Sequence, residues 1–235
     1  MLRRILYSIL AIGLLIAVIA AYIYIRSPAT FPIKTIQVTG NYTHINQTDI
    51  ENTVLPYTLG GFLNLNLTAL QQALLTMPWL ARADIRRVWP NKLIISLQQH
   101  VPIGYWNGKS LLSDQGIVFT PVSLSDVPTN LPQFVVADSD SQLVLSNYLL
   151  MNQQLASLQL SVVAVNLSAR QAWTVTLNNG IILLLGREDL WNRLARFIDT
   201  YPRIINDKAN KVVSVDLRYE SGLALQWKGR APPVV

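Results

Sequence analysis

From Ile5 to Ile25 the chain runs 21 residues without a charged side chain. At ~1.5 Å rise per residue, a helix of that length covers the roughly 30 Å hydrocarbon core of a bilayer. Two readings of the segment compete. Arg3 and Arg4 ahead of an apolar stretch, with Val18 and Ala20 as small residues before a cleavage point, also describe a secretory signal. The run continues through Tyr22, Ile23, Tyr24 and Ile25, however, which is longer than a signal core, and tyrosines suit a membrane interface. An uncleaved anchor is the better reading. Arg3 and Arg4 lie before the run and Arg26 and Lys34 after it, a slight tilt toward an N-terminus inside. Nearly the whole chain follows the run and must lie on the other side.

With 51% hydrophobic and 14% charged residues the chain is not disordered, and its 235 residues leave room after the anchor for one large domain or two small ones. It has no cysteine, which excludes disulfides, thiolate metal sites and cysteine nucleophiles together. The net charge of +6 is spread along the chain, densest at Arg82, Arg86 and Arg87, and forms no run suggesting a nucleic-acid tail. Attraction to anionic lipid or to an acidic partner fits it equally well.

The two prolines in 26–32 make that stretch a linker. Ile36 and Val38 alternate with polar neighbours up to Gly40, predicting a strand. A short helix follows, with Asn46 as cap, Asp49 in its first turn, an Ile50 and Val54 face and Pro56 as a stop. Leu67, Leu70, Ala73, Leu74 and Met77 have helical spacing before Pro78, with Asn66 as the cap. Two strands, 81–88 and 92–98, flank the Trp89-Pro90-Asn91 turn. The order β-α-α-β-β predicts a three-stranded sheet with two helices on one face.

After Val101-Pro102 short strands joined by turn dipeptides predict a second domain. Asn107-Gly108 marks a hairpin between Tyr105-Trp106 and Leu111-Leu112, and a strand follows at 117–119. Residues 120–133, with three prolines, read as an irregular loop. A helix is expected over 141–158, strands at 162–165, 173–177 and 181–185, and a long helix over 188–205 with Arg193, Arg196 and Asp199 on its surface. Val213, Val215, Leu217 and Tyr219 alternate with polar residues, and Ser221-Gly222 turns the chain into a last strand, Leu223 to Trp227, that is a candidate sheet edge.

Chemistry is sparse. His44 and His100 read as surface or junction residues, Gly60-Gly61 lacks the lysine of a phosphate loop, and no metal-ligand spacing occurs. No catalytic, cofactor-binding or metal-binding residue is assigned, and the chain is expected not to be an enzyme. Trp79, Trp89, Trp106 and Trp173 stand at strand ends or turns where their rings can cover a small core. Trp227 lies on the candidate edge. An incoming strand would satisfy the edge's N–H and C=O groups, with Tyr219 and Trp227 as apolar anchors. An ordinary edge protected by Lys228 and Pro232-Pro233 accounts for the same residues equally well.

A set of segments spanning the chain in order carries a resemblance: Phe31-Pro32-Ile33, Met77-Pro78-Trp79-Leu80, Val88-Trp89-Pro90-Asn91-Lys92-Leu93, His100-Val101-Pro102-Ile103, Trp106-Asn107, Trp173 through Leu177-Asn178-Asn179, Leu185-Gly186-Arg187, Arg193-Leu194-Ala195-Arg196-Phe197, Tyr201-Pro202, and Val215-Asp216-Leu217-Arg218-Tyr219 with Ser221-Gly222. Together they resemble the bacterial division family FtsQ/DivIB. The resemblance implies an α+β chain. It would have a cytoplasmic stub at 1–4, a single transmembrane helix at 5–25, a linker at 26–32 and a POTRA domain at 33–101. A mixed β domain would follow at 102–229, with helices on an antiparallel-rich sheet, and a tail at 230–235. Members of that family often carry a longer cytoplasmic segment than the four residues found here. The resemblance further implies a single-pass inner-membrane protein at the division septum, its bulk periplasmic, acting as a non-catalytic scaffold. The implied partners are FtsB and FtsL and, through them, the septal peptidoglycan synthase machinery. Carried over by motif, Leu223, Leu225 and Trp227 belong to the pairing edge, Tyr219, Ser221 and Gly222 lie beside it, and Arg218 and Arg170 meet acids of the partner. Two other classes compete with a scaffold. A POTRA-type transport or chaperone component of the envelope would be expected to carry a membrane β-barrel or tandem POTRA repeats, and a periplasmic enzyme or sensor would need a site not recognised in the sequence.

Overall fold

The computed structural model describes residues 2–27, 29–136 and 141–229. The expected tail at 230–235 lies outside them. The chain divides into two compact units, Met1–His100 and Val101–Val235.

The first unit opens with helix α1, Leu2–Arg26, so helix covers most of the expected stub as well as the apolar run. Side chains are described without a break only from Ile9 to Ile25, and among the described residues no helix is long and apolar enough to cross a membrane. That described stretch measures about 26 Å at 1.5 Å per residue, less than a hydrocarbon core.

Strand β1 (Thr35–Asn41), helices α2 (Gln47–Thr58), α3 (Gly61–Asn64) and α4 (Leu67–Leu74), and strands β2 (Leu80–Val88) and β3 (Lys92–Gln99) complete the unit. The sheet order is β1-β3-β2, with β1 parallel to β3 and β2 antiparallel to it. Leu93, Ile95 and Leu97 on β3 bury alternate positions against Ile50 and Val54 of α2 and Leu70 and Leu74 of α4, each pair one helical turn apart. At roughly 1.5–3 kcal/mol per buried aliphatic side chain, this small core is what holds the unit together.

Three local expectations change. Pro56 lies inside α2 rather than ending it, and the helix runs two residues further. The single turn α3 adds a third helical segment. Asn66 caps α4 through its Oδ1, which accepts the Ala69 N–H at 3.0 Å, whereas the Asn46 side chain makes no such bond at the start of α2.

In the second unit nine strands form one sheet: β4 (Pro102–Trp106), β5 (Ser110–Ser113), β6 (Val118–Phe119), β7 (Gln133–Val135), β8 (Val162–Leu167), β9 (Trp173–Leu177), β10 (Ile182–Gly186), β11 (Val212–Asp216) and β12 (Ala224–Trp227). Their order is β12-β11-β10-β9-β8-β7-β4-β5-β6. Pairing is antiparallel except at β10–β11, β7–β8 and β4–β7. Helices α5 (Ser141–Leu155) and α6 (Leu190–Thr200) cover the sheet, and Trp106, Phe134, Met151, Leu155 and Phe197 fill the core.

Strand β7 falls at the end of the segment read as a loop. It is three residues long and gains its stability from sheet neighbours rather than from any pattern of its own. Asn152-Gln153-Gln154, a polar stretch inside the helix expected over 141–158, does not break α5: Asn152 donates to the Tyr148 carbonyl at 2.9 Å and accepts the Val162 N–H at 2.9 Å. The long helix expected over 188–205 is α-helical only to Thr200. It widens into a π turn, Tyr201–Ile205, where Pro202 has no N–H to donate, and tightens into a 3₁₀ segment, Asn206–Lys211. Trp79, Trp106 and Trp173 are buried as expected, but Trp89 is 74% exposed.

Candidate functional site

Strand β12 is one edge of the nine-stranded sheet and pairs antiparallel with β11 alone among the described strands. The expected alternation of Val213, Val215, Leu217 and Tyr219 does not survive intact. A register shift between Val212 and Ser214 resets it, so that Val212, Val215 and Leu217 are buried while Val213 is half-buried. The strand ends at Asp216, and Tyr219 stands in the connection that follows, 58% exposed. On the far side of that connection Leu223, Leu225 and Trp227 pack against the core while Ala224 and Gln226 face out. Trp227 therefore holds β12 down, and of the two expected apolar anchors Tyr219 is the exposed one.

One end of the sheet collects the remaining site residues. The C-terminal end of β10 meets the start of β9 at the Gly186–Trp173 pair, and the parallel β10–β11 pair carries Asp216 to the same end. Arg170 lies there in the tight β8–β9 turn, closed by the Gln171 N–H on the Ser168 carbonyl at 2.8 Å, and is exposed. Arg218 is present too, but already paired. Its Nε donates to Asp216 Oδ1 at 2.9 Å and its Nη2 to Oδ2 at 2.6 Å. This bidentate bond holds the Asp216 carboxyl below its ordinary range and raises the Arg218 guanidinium. A guanidinium has five N–H donors, so Arg218, its side chain 60% exposed, keeps donors for an outside acceptor in a fixed orientation.

The two arginines expected on the α6 surface turn inward to build this site. Arg193 Nη1 donates to the Leu185 carbonyl at 2.6 Å and Nη2 to the Arg218 carbonyl at 3.4 Å. Arg196 Nη1 donates to the carbonyls of Tyr219 at 2.7 Å and Gly222 at 2.8 Å. The connection that carries Tyr219, Ser221 and Gly222 is thus clamped by a helix rather than left loose. Their i,i+3 spacing beside the buried stripe of α6 puts both on one flank, the one sequence signal that could have found them. Gly186 makes the approach possible. Its φ is +75°, and a Cβ there would stand 2.7 Å from Arg193 Nη1.

Among the described residues no cluster of three or more His, Asp or Glu side chains could hold a metal ion. A model of the FtsQ-type POTRA domain matches residues 31–100, and one of the C-terminal region of the cell division proteins FtsQ/DivIB matches residues 104–218. The chain belongs to the FtsQ/DivIB family. It is 34% identical to the cell division protein FtsQ of Coxiella burnetii over 96% of this chain and 93% of that relative. It is 35% identical to FtsQ of Shewanella oneidensis over 92% and 85%, and 32% identical to FtsQ of Burkholderia pseudomallei over 95% and 90%. The C-terminal FtsQ/DivIB match ends at Arg218, so the clamped connection and β12 lie just beyond it.

Proposed function

We propose that this FtsQ/DivIB chain is a non-catalytic, membrane-anchored scaffold of the division machinery, tying early to late division proteins by binding FtsB and FtsL. Strand addition to β12 makes the contact, Tyr219 is its exposed apolar anchor, and Arg170 and Arg218 meet acidic side chains of the partner. Through those partners it reaches the septal peptidoglycan synthase machinery. The observation that carries this reading is the outer edge of β12, which pairs with no other described strand, beside a clamped connection. An extended peptide gains main-chain hydrogen bonds from such an edge without ordering a loop first.

The anchor is α1, placed in the inner membrane with its N-terminus in the cytoplasm and the two domains in the periplasm, at the septum. In full it has 25 residues, about 37 Å of helix at 1.5 Å per residue, and its described apolar side chains from Ile9 to Ile25 are exposed all round. A helix apolar on every described face, with none of the described residues covering it, is suited to lipid.

The test is co-purification of FtsB with the full chain. Tyr219→Ala and the charge reversals Arg170→Glu and Arg218→Glu should each lower recovery. Unchanged recovery with all three would sink the proposed contact.

A further inference from the structure

Trp89 leaves the core that the sequence assigns to it, and its place in the sheet gives it a second role. Because β1 and β3 run parallel with Thr35 opposite Lys92, the β2–β3 turn lies at the end of the sheet where the linker enters. Contact is direct: the Lys34 N–H donates to the Asn91 carbonyl at 2.9 Å. Two more bonds bring α3 to that end. The Phe62 N–H donates to the Phe31 carbonyl at 2.8 Å, and Arg87 Nη2, beside the turn, donates to the Leu65 carbonyl at 2.6 Å.

The linker end therefore displays Trp89 at 74% exposure, Leu59 at 73% and Leu63 at 42%, with Lys34 exposed and Lys92 half-buried beside them. Exposed Trp and Leu next to lysines have the chemistry of a membrane–water interface, where an indole sits at headgroup depth and ammonium groups meet lipid phosphates. Distance agrees. The eight residue-to-residue steps from Arg26 to Lys34 span at most about 28 Å when extended, and a turn closed by the Thr30 N–H on the Ser27 carbonyl at 3.0 Å shortens them.

We infer that the linker end of the first domain, through Trp89, Leu59, Leu63, Lys34 and Lys92, docks on the anionic surface of the membrane that holds α1. This rests on the reading of α1 as the anchor. Docking would fix the tilt of the domain over the bilayer instead of leaving it to swing on the linker.

The natural chain has no cysteine, so a single introduced one carries a fluorophore at a unique position. Full chains labelled at Leu63→Cys, at Leu15→Cys within α1, or at Thr76→Cys between α4 and β2 are placed in lipid nanodiscs with or without phosphatidylglycerol. Quenching is read with spin-labelled lipids. Leu63→Cys should be quenched by headgroup labels several-fold more than Thr76→Cys, and more strongly on anionic discs. Adding Trp89→Ser, Lys34→Glu and Lys92→Glu should return it to the Thr76→Cys level, with Leu15→Cys still quenched by acyl-chain labels. If Leu15→Cys is quenched while Leu63→Cys is as aqueous as Thr76→Cys, the anchor stands and the docking is overturned, leaving the patch to a protein partner. If Leu15→Cys is itself unquenched, the anchor reading fails and the docking with it.

Discussion

Arg196 Nη1 donates to the main-chain carbonyl of Tyr219 at 2.7 Å, so the backbone that carries an exposed aromatic side chain is held by a helix residue 23 positions earlier. The same nitrogen reaches the Gly222 carbonyl. Charge-assisted bonds of this kind contribute about 1.5–3 kcal/mol each. Arg196→Ala should cost about 1–3 kcal/mol of second-domain stability and speed amide exchange at 219–223. Exchange in the first domain should stay unchanged, and an unchanged rate at 219–223 would refute the clamp.

Gly186→Ala places a methyl group against Arg193 at a φ that side chains rarely adopt. The loss should be about 1–3 kcal/mol in denaturant unfolding. Arg193→Ala removes the clash but not the backbone strain, so the double variant should recover only part of the loss of Gly186→Ala. Full recovery would show that φ is not a constraint there.

Asp216 gives the site an acid-sensitive element. Its folded-state pKa lies below the ordinary 3.8, chiefly through the Arg218 hydrogen bond. The stabilisation is therefore fully present above the unfolded value and disappears as pH falls through the folded one. Asp216→Asn should lower stability at pH 7 by about 0.5–1 kcal/mol. In thermal melts the gap from the natural chain should close below pH 3.8. A gap that is constant with pH would assign the effect to packing.

The two asparagine caps should behave differently although they look alike in sequence. Asn66→Ala removes an observed cap and should cost about 1 kcal/mol. Asn46→Ala removes no side-chain bond and should be close to neutral in the same unfolding measurement.

Much of the fold was legible because it follows local periodicity. The period-two pattern of Leu93, Ile95 and Leu97 and the one-turn spacing of Leu70 and Leu74 are properties of neighbours, and both become core. The hairpin at Asn107-Gly108 was legible for the same reason, since both residues take the positive φ that a tight turn needs. Strand β7 was not, because three residues carry no period. The candidate site was half legible. The edge strand follows from the final turn signal, but the inward reach of Arg193 and Arg196 depends on carbonyls more than 20 residues away in the chain.

By itself the sequence determined where most of the helices, strands and turns would fall, and with its motifs the family. Side-chain periodicity and backbone sterics act over a few residues and so are written locally. Only the tertiary structure decided what those segments do to one another. It showed that Arg218 is already paired with Asp216, that Trp227 packs partly buried against the core while Tyr219 is exposed, and that Trp89 faces out at the end where the linker enters. Each of these depends on hydrogen bonds and burial between residues far apart in the chain, which no local pattern encodes.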